Sequence, residues 1–148
     1  MINISVDYLS FKEKLKTKTE DGKKWIFDTV RRKYLRLLPE EMVRQLVVLY
    51  LISIGYARSR IAIEKTVTVN GRKKRFDILV YDHRAQPLIL VECKAPTIKI
   101  TQKTFEQIAW YNMELKVKYL LVTNGVDTYC CEIDYETRTF SYLNHIPT

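Results

Sequence analysis

A glutamate and a lysine stand two residues apart in Val91-Glu92-Cys93-Lys94-Ala95-Pro96, where the apolar run Leu88-Ile89-Leu90-Val91 ends. Side chains alternate faces along a strand, so Leu88, Leu90, Glu92 and Lys94 point one way and Ile89, Val91 and Cys93 the other. Charge at the end of such a strand is costly unless it is paired or holds a metal. Asp77 repeats the anomaly in a second apolar segment, Phe76-Asp77-Ile78-Leu79-Val80-Tyr81, and a polar loop ending in Pro87 joins the two. If Tyr81 pairs with Leu88 across that loop, the numbers of paired residues sum to a constant and Asp77 falls opposite Glu92. Opposed side chains on one face have Cβ atoms roughly 5 Å apart, and like charges there destabilise a sheet. Two carboxylates forced together this way favour a cation between them.

Magnesium is the cation that chemistry suggests, with manganese able to substitute. It takes hard oxygen ligands, commonly one or two carboxylates with water and phosphate completing the shell. Asp77 and Glu92 offer such oxygens, and the Cys93 backbone carbonyl is a third. A metal there would make bound water more acidic and neutralise charge on a phosphate. Lys94, on the same face, would orient that water or stabilise the oxyanion. The pattern is that of phosphodiester hydrolysis.

The elements that must hold these residues are readable from periodicity. Pro39-Glu40-Glu41 starts a helix, since proline suits the first turn and carboxylates complement the helix dipole there. Val43, Leu46, Val47, Tyr50, Leu51 and Ile54 continue it at three- and four-residue spacing until Gly55. Ile61 to Asn70 alternates as a strand, and Asn70-Gly71 predicts a hairpin into a second strand at about Arg75 to Tyr81. The third strand is about Leu88 to Lys94, a second helix spans Thr101 to Leu115, and a fourth strand spans Lys118 to Thr123. Weaker strands follow around 128–133 and 139–143. The strand–helix–strand passage makes the third and fourth strands parallel neighbours. The expected fold is α/β: a mixed sheet in an α-β-β-β-α-β order, flanked by a helix on each face. Residues 1–38 read as a basic extension, irregular or helical, that docks by about residue 25. Residues 39–125 would form the core and 126–148 the closing strands, all within one domain of 148 residues.

Composition narrows the class. The chain is 47% hydrophobic and 28% charged, as expected of a globular domain, and no apolar run approaches the roughly 20 residues that span a bilayer. Met1 to Asp7 lacks the basic end and apolar centre of a signal peptide, so a cytoplasmic location is expected. Cys93, Cys130 and Cys131 have no zinc-like spacing and read as buried, reduced thiols. The net charge of +8 favours a polyanionic partner, most often nucleic acid. Lys12, Lys14, Lys16, Lys18, Lys23, Lys24, Arg31, Arg32, Lys33 and Arg36 concentrate it near the start, and Arg72-Lys73-Lys74-Arg75 caps the expected hairpin.

Together these residues resemble the PD-(D/E)XK nuclease superfamily, whose motif would be carried by Phe76-Asp77, without the preceding proline, and by Glu92-Cys93-Lys94. Residues 39 to 125 look closer still to the N-terminal nuclease domain of type I restriction enzyme R subunits. That likeness rests on Pro39-Glu40-Glu41-Met42-Val43-Arg44-Gln45, Arg75-Phe76-Asp77-Ile78, Val91-Glu92-Cys93-Lys94-Ala95-Pro96, Gln107 to Tyr111 and Thr123-Asn124-Gly125. The resemblance implies a restriction-endonuclease-like fold and a magnesium-dependent endonuclease acting on DNA. It implies catalytic roles for Asp77, Glu92, Lys94 and Glu41, with Glu41, or its neighbour Glu40, as an additional acid supporting the metal. Gln107 and Tyr111 match the glutamine and tyrosine of the family's second helix, four residues apart on one face, where they would position DNA or brace the site. Arg72, Lys73, Lys74 and Arg75 would contact substrate or solvate a hairpin tip, and Glu41 could equally be a partner of the helix dipole. The sequence has no G-x-x-x-x-G-K-[ST] loop, so ATP-driven translocation is not implied. Expected partners are DNA, with a homodimer or separate motor and specificity subunits, and no membrane. The alternative is a non-catalytic DNA-binding or complex-forming module that keeps the nuclease fold.

Overall fold

Proline at the first position of α1 (Pro39–Ser53) supplies the helical φ without needing a hydrogen-bond acceptor, and Glu40 and Glu41 lie in the first turn. The computed structural model describes all residues, Met1 to Thr148. Val43, Leu46, Val47, Val48 and Leu51 form the buried stripe of α1, but the helix also buries Glu41, Arg44 and Gln45. Those three polar side chains on a packed helix need partners, and the site below provides them.

Asn70-Gly71 turns β4 (Ile61–Val69) into β5 (Arg72–Tyr81), and β6 (Pro87–Cys93) follows antiparallel. Helix α2 (Gln102–Tyr111), whose N-cap Thr101 accepts the Thr104 N–H, returns the chain to β7 (Tyr119–Thr123), parallel to β6. β8 (Thr128–Asp134) and β9 (Thr139–Leu143) complete a six-stranded sheet in the order β4-β5-β6-β7-β8-β9. The sheet divides between two cores, by alternation except at Asp77, where Phe76 and Ile78 lie on opposite sides. Ile78, Val80, Ile89, Val91, Cys93, Leu121 and Cys130 pack with α1. Phe76, Leu79, Leu90, Leu120, Val122 and Cys131 pack with Phe105 and Ala109 of α2. This is the α/β arrangement expected, with adjacent Cys130 and Cys131 on opposite faces and all three cysteines buried as free thiols. No helix is long and apolar enough to cross a membrane.

Four expectations are corrected. Tyr81 pairs with Pro87 rather than Leu88, because a bulge follows the pairing of Val80 with Ile89. Leu88 is the extra residue, and it packs on the α1 side instead of sharing a face with Leu90. The basic run Arg72–Arg75 is strand rather than hairpin cap, since β5 begins at Arg72 directly after the turn. α2 ends at Tyr111, with Met113–Leu115 as a separate 3-10 turn closed by Lys116 in the left-handed region.

The fourth concerns the extension expected to be irregular or helical. It has one 3-10 helix, Tyr8–Lys14, and otherwise forms a three-stranded antiparallel sheet of β1 (Thr17–Glu20), β2 (Lys23–Asp28) and β3 (Lys33–Arg36). The β1–β2 turn is Asp21-Gly22, with both φ positive at 53° and 71°, a hairpin signal like Asn70-Gly71. Thr17 to Glu20 is exposed throughout and so lacks an apolar face to announce it. Docking also starts earlier than residue 25. The Ile4 N–H donates to the Thr128 carbonyl at 2.8 Å, and the Asn3 side chain bonds both Asp127 and the Thr128 N–H.

Candidate active site

The constant-sum register survives the bulge. Ile78 pairs with Val91, Leu79 with Leu90 and Val80 with Ile89; the pairing ends there, with Asp77 and Glu92 the next residue of each strand. Asp77 closes the pair by accepting the Cys93 N–H at 2.8 Å through Oδ2. Burial, the Asp77 charge and a side-chain hydrogen bond with Asp77 push the Glu92 carboxyl up to about 8, against the opposing pull of Lys94. Glu92 is therefore harder to ionise than a free glutamate. Lys94 follows the end of β6, its N–H donating to the Thr123 carbonyl at 2.8 Å in continuation of the β6–β7 ladder.

Asp77 faces a second layer of charge that comes from α1. Arg44, only 6% exposed at the side chain, reaches Asp77 and Glu64 at 3.2 Å each, bonds Glu41, and lies 3.9 Å from the more exposed Glu40. Burial disfavours its charge, yet Glu41, Asp77 and Glu64 outweigh that and hold its pKa above the ordinary value. Glu41 is bonded as well by Gln45 at 3.0 Å and by Arg31 at 3.4 Å. Arg31, on the loop after β2, joins fully buried Asp28 at 2.5 Å and Glu64 at 2.7 Å. Glu64 takes a third guanidinium, Arg75, at 2.5 Å. Burial opposes ionisation of Glu64, but its bonds to Arg31 and Arg75 prevail and hold its pKa below the usual carboxylate value. Its φ of +48° interrupts β4 between Ile63 and Lys65, a left-handed conformation that glutamate rarely adopts.

Arg31, Arg44 and Glu64 were given no role by sequence reasoning. Two signals existed. Arg44 interrupts the apolar stripe of α1 three residues after Glu41, and Glu64 follows two inward isoleucines, Ile61 and Ile63. Asp28 and Arg31 had no legible signal, because the sheet that places them was not expected.

The remaining candidates separate by position. Gln107 and Tyr111 are both exposed on α2. The Tyr111 carbonyl accepts from Lys74 Nζ, which lies 4.5 Å from the Tyr111 ring centroid and 3.7 Å from Glu114. Lys74 is thus turned into the α2 side of the sheet, while Arg72, Lys73 and Arg75 are exposed. Thr123-Asn124-Gly125 has a structural explanation. Asn124 Oδ1 accepts the Val126 and Asp127 N–H groups, and its Nδ2 donates to the Ile98 carbonyl, tying the β7 turn to the segment after β6. Gly125, at φ +86°, lies so near α1 that a Cβ would meet Val43 Cγ2 at 3.1 Å.

The donor set suits a divalent cation in part. Asp77 beside a Glu92 whose ionisation burial resists fits one, and the Cys93 backbone lies against Asp77. No group of three or more His, Cys, Asp or Glu side chains is arranged to hold a metal ion, and Glu41 and one oxygen of Asp77 are engaged by Arg44.

Residues 39–147 match the family model described as type I restriction enzyme R protein N terminus (HSDR_N). The chain belongs to that family. Among solved structures it is similar to a fragment described as an HsdR subunit of a type I restriction enzyme from Vibrio vulnificus YJ016, with 26% identity and a TM-score of 0.55. The similarity covers 75% of this chain and 24% of that one, so the chain spans about a quarter of that protein's fragment. A comparison with curated proteins gives no match. The family match begins at α1 and leaves the three-stranded sheet, with Asp28 and Arg31, outside it.

Proposed function

We propose that this chain is a metal-dependent nuclease of the PD-(D/E)XK type, hydrolysing DNA phosphodiester bonds endonucleolytically in a restriction or DNA-processing role. The observation that carries the reading is the closeness of Asp77 and Glu92 where the β5–β6 pairing ends: Asp77 accepts the Cys93 N–H, and burial together with the Asp77 charge pushes Glu92 up to about 8. A strand pair selected only for stability would not bring two carboxylates together. Asp77, Glu92 and the Cys93 carbonyl would hold magnesium, or manganese in its place. When bound, the ion supplies a more acidic water and neutralises charge on the phosphate. Lys94 contributes an ammonium whose charge reaches Glu92, suited to the oxyanion or to orienting water. Glu41 would join only by exchanging its contacts with Arg44, Arg31 and Gln45. Gln107, Tyr111, Arg72, Lys73 and Arg75 present exposed polar groups to the DNA backbone. The R protein family favours DNA as substrate, partner subunits carrying motor and specificity functions, and a cytoplasmic setting.

A second reading, a non-catalytic DNA-binding or complex-forming module, is favoured by Arg44, which already neutralises Asp77 and Glu41. Incubation of plasmid and linear DNA with magnesium or manganese separates the two. The nuclease reading expects cleavage by wild type, none by Lys94→Ala, and none in EDTA. Absence of cleavage by either wild type or Lys94→Ala at saturating manganese, with DNA still bound, would favour the module instead.

A further inference from the structure

The three-stranded sheet outside the family match presents a face that the candidate site does not use. Opposed residues share a face, so Lys18, Trp25 and Arg36 align in one row, and Lys16, Phe27 and Tyr34 in the next. Glu20 and Lys23 complete the same face. The other face is turned inward, with Ile26 and Asp28 fully buried. On the outer face Lys16, Lys18, Lys23 and Arg36 are exposed, while Trp25, Phe27 and Tyr34 are half-buried between them. Each ring carries a cation: Lys16 over Phe27 at 5.1 Å, Lys18 over Tyr34 at 4.2 Å and Arg36 over Trp25 at 5.6 Å. Only Glu20 offsets this charge, paired with Lys18 at 2.9 Å.

We propose that this face is a docking surface for single-stranded DNA. Aromatic rings interleaved with lysine and arginine are what a strand with unpaired bases requires, since every base has a face to stack and every nucleotide a phosphate to neutralise. Stacking on a ring outweighs an exposed cation–π contact, so a base displaces the ammonium, which swings to a phosphate. Spacing excludes a stacked duplex. Trp25 and Phe27, two residues apart on β2, stand roughly 6.7 Å apart along the strand, about twice the rise of roughly 3.4 Å per nucleotide in a duplex. Only bases already unstacked can reach both rings. The choice of DNA over RNA rests on the proposed nuclease function; the platform itself does not.

Fluorescence anisotropy of the whole chain in EDTA, where no cleavage reading enters, tests this. Labelled oligo-dT, a duplex of equal length and oligo-rU are titrated across a range of salt. Tight binding of oligo-dT is expected, with weaker binding of the duplex. Replacing Lys16, Lys18 and Arg36 by glutamine should reduce the salt slope of log affinity by about 2, at roughly 0.7 per cation on a single strand. Neutralising exposed Arg58, Lys116 and Lys118 instead should leave the slope nearly unchanged. Tyr34→Leu, which keeps apolar bulk, should lower affinity on the order of tenfold with an unaltered slope. Should Tyr34→Leu fail to fold, the exposed charge variants still decide. Equal slopes for the two triple variants, or preference for the duplex, would overturn the platform. Preference for oligo-rU would overturn the choice of DNA while leaving the nuclease proposal untouched.

Discussion

Arg44 is the residue on which the acidic site depends. Its guanidinium touches Glu41, Glu64 and Asp77 from a position almost closed to water. Removing one partner of a buried ion pair leaves the others uncompensated, at a cost of about 3–5 kcal/mol. Arg44→Gln is therefore expected to lose about that much stability in urea melts performed in EDTA. Lysine keeps the charge but not the planar fork that spans several carboxylates, so Arg44→Lys should recover only part of the loss. If the acids form a cation site, millimolar manganese should stabilise Arg44→Gln more than wild type, because the ion no longer competes with the guanidinium. Equal stabilisation of both would mean that Arg44 and the metal do not share ligands. None of this was legible from α1 alone, where Arg44 reads as one residue of a motif. Its partners Glu64 and Asp77 arrive from different strands, and only tertiary packing brings them there.

Among the elements, the strands that end at Asp77 and Glu92 were readable because antiparallel pairing fixes a constant sum. The bulge at Leu88 lies toward the loop and leaves the register beyond it intact. β1 was hidden for the opposite reason: a short, wholly exposed strand has no period to detect. The β7 turn shows how a motif without reactive groups can still serve a site. Asn124 fixes the segment after β6, and Gly125 lets the helix that carries Glu41 and Arg44 approach. A comparison of two glycines measures that approach. Gly71 has φ +76° with nothing within 4 Å of an added Cβ, so Gly71→Ala should cost only the left-handed penalty of about 1–2 kcal/mol. Gly125→Ala carries the same penalty and must also displace Val43, so its thermal midpoint should fall further. A Gly125→Ala midpoint equal to that of Gly71→Ala would show that α1 yields freely and that the turn does not set its position.

At the scale of the whole molecule, the carboxyl groups of the site set how stability responds to pH. Glu92 ionises near 4.5 when unfolded and near 8 when folded, so between those values the folded state keeps a proton that the unfolded chain has released. Stability from this group is complete below about 4.5 and is lost as pH rises through about 8, at no more than about 1.4 kcal/mol per pH unit. Glu64 acts in the other direction. Its folded pKa is lowered by Arg31 and Arg75, so its contribution is present above its unfolded value and disappears as pH falls through the folded one. The two limbs meet on the acid side of neutrality, where thermal melts in EDTA should show the most stable protein, with a decline toward pH 9. Glu92→Gln cannot ionise, and its alkaline limb should be flat. Saturating manganese should flatten the wild-type limb as well, because a cation between the carboxylates favours the ionised form that burial resists. An alkaline decline that persists unchanged in Glu92→Gln would remove Glu92 as its origin. A wild-type decline that manganese leaves untouched would count directly against a cation held by Asp77 and Glu92, whatever the DNA assays show.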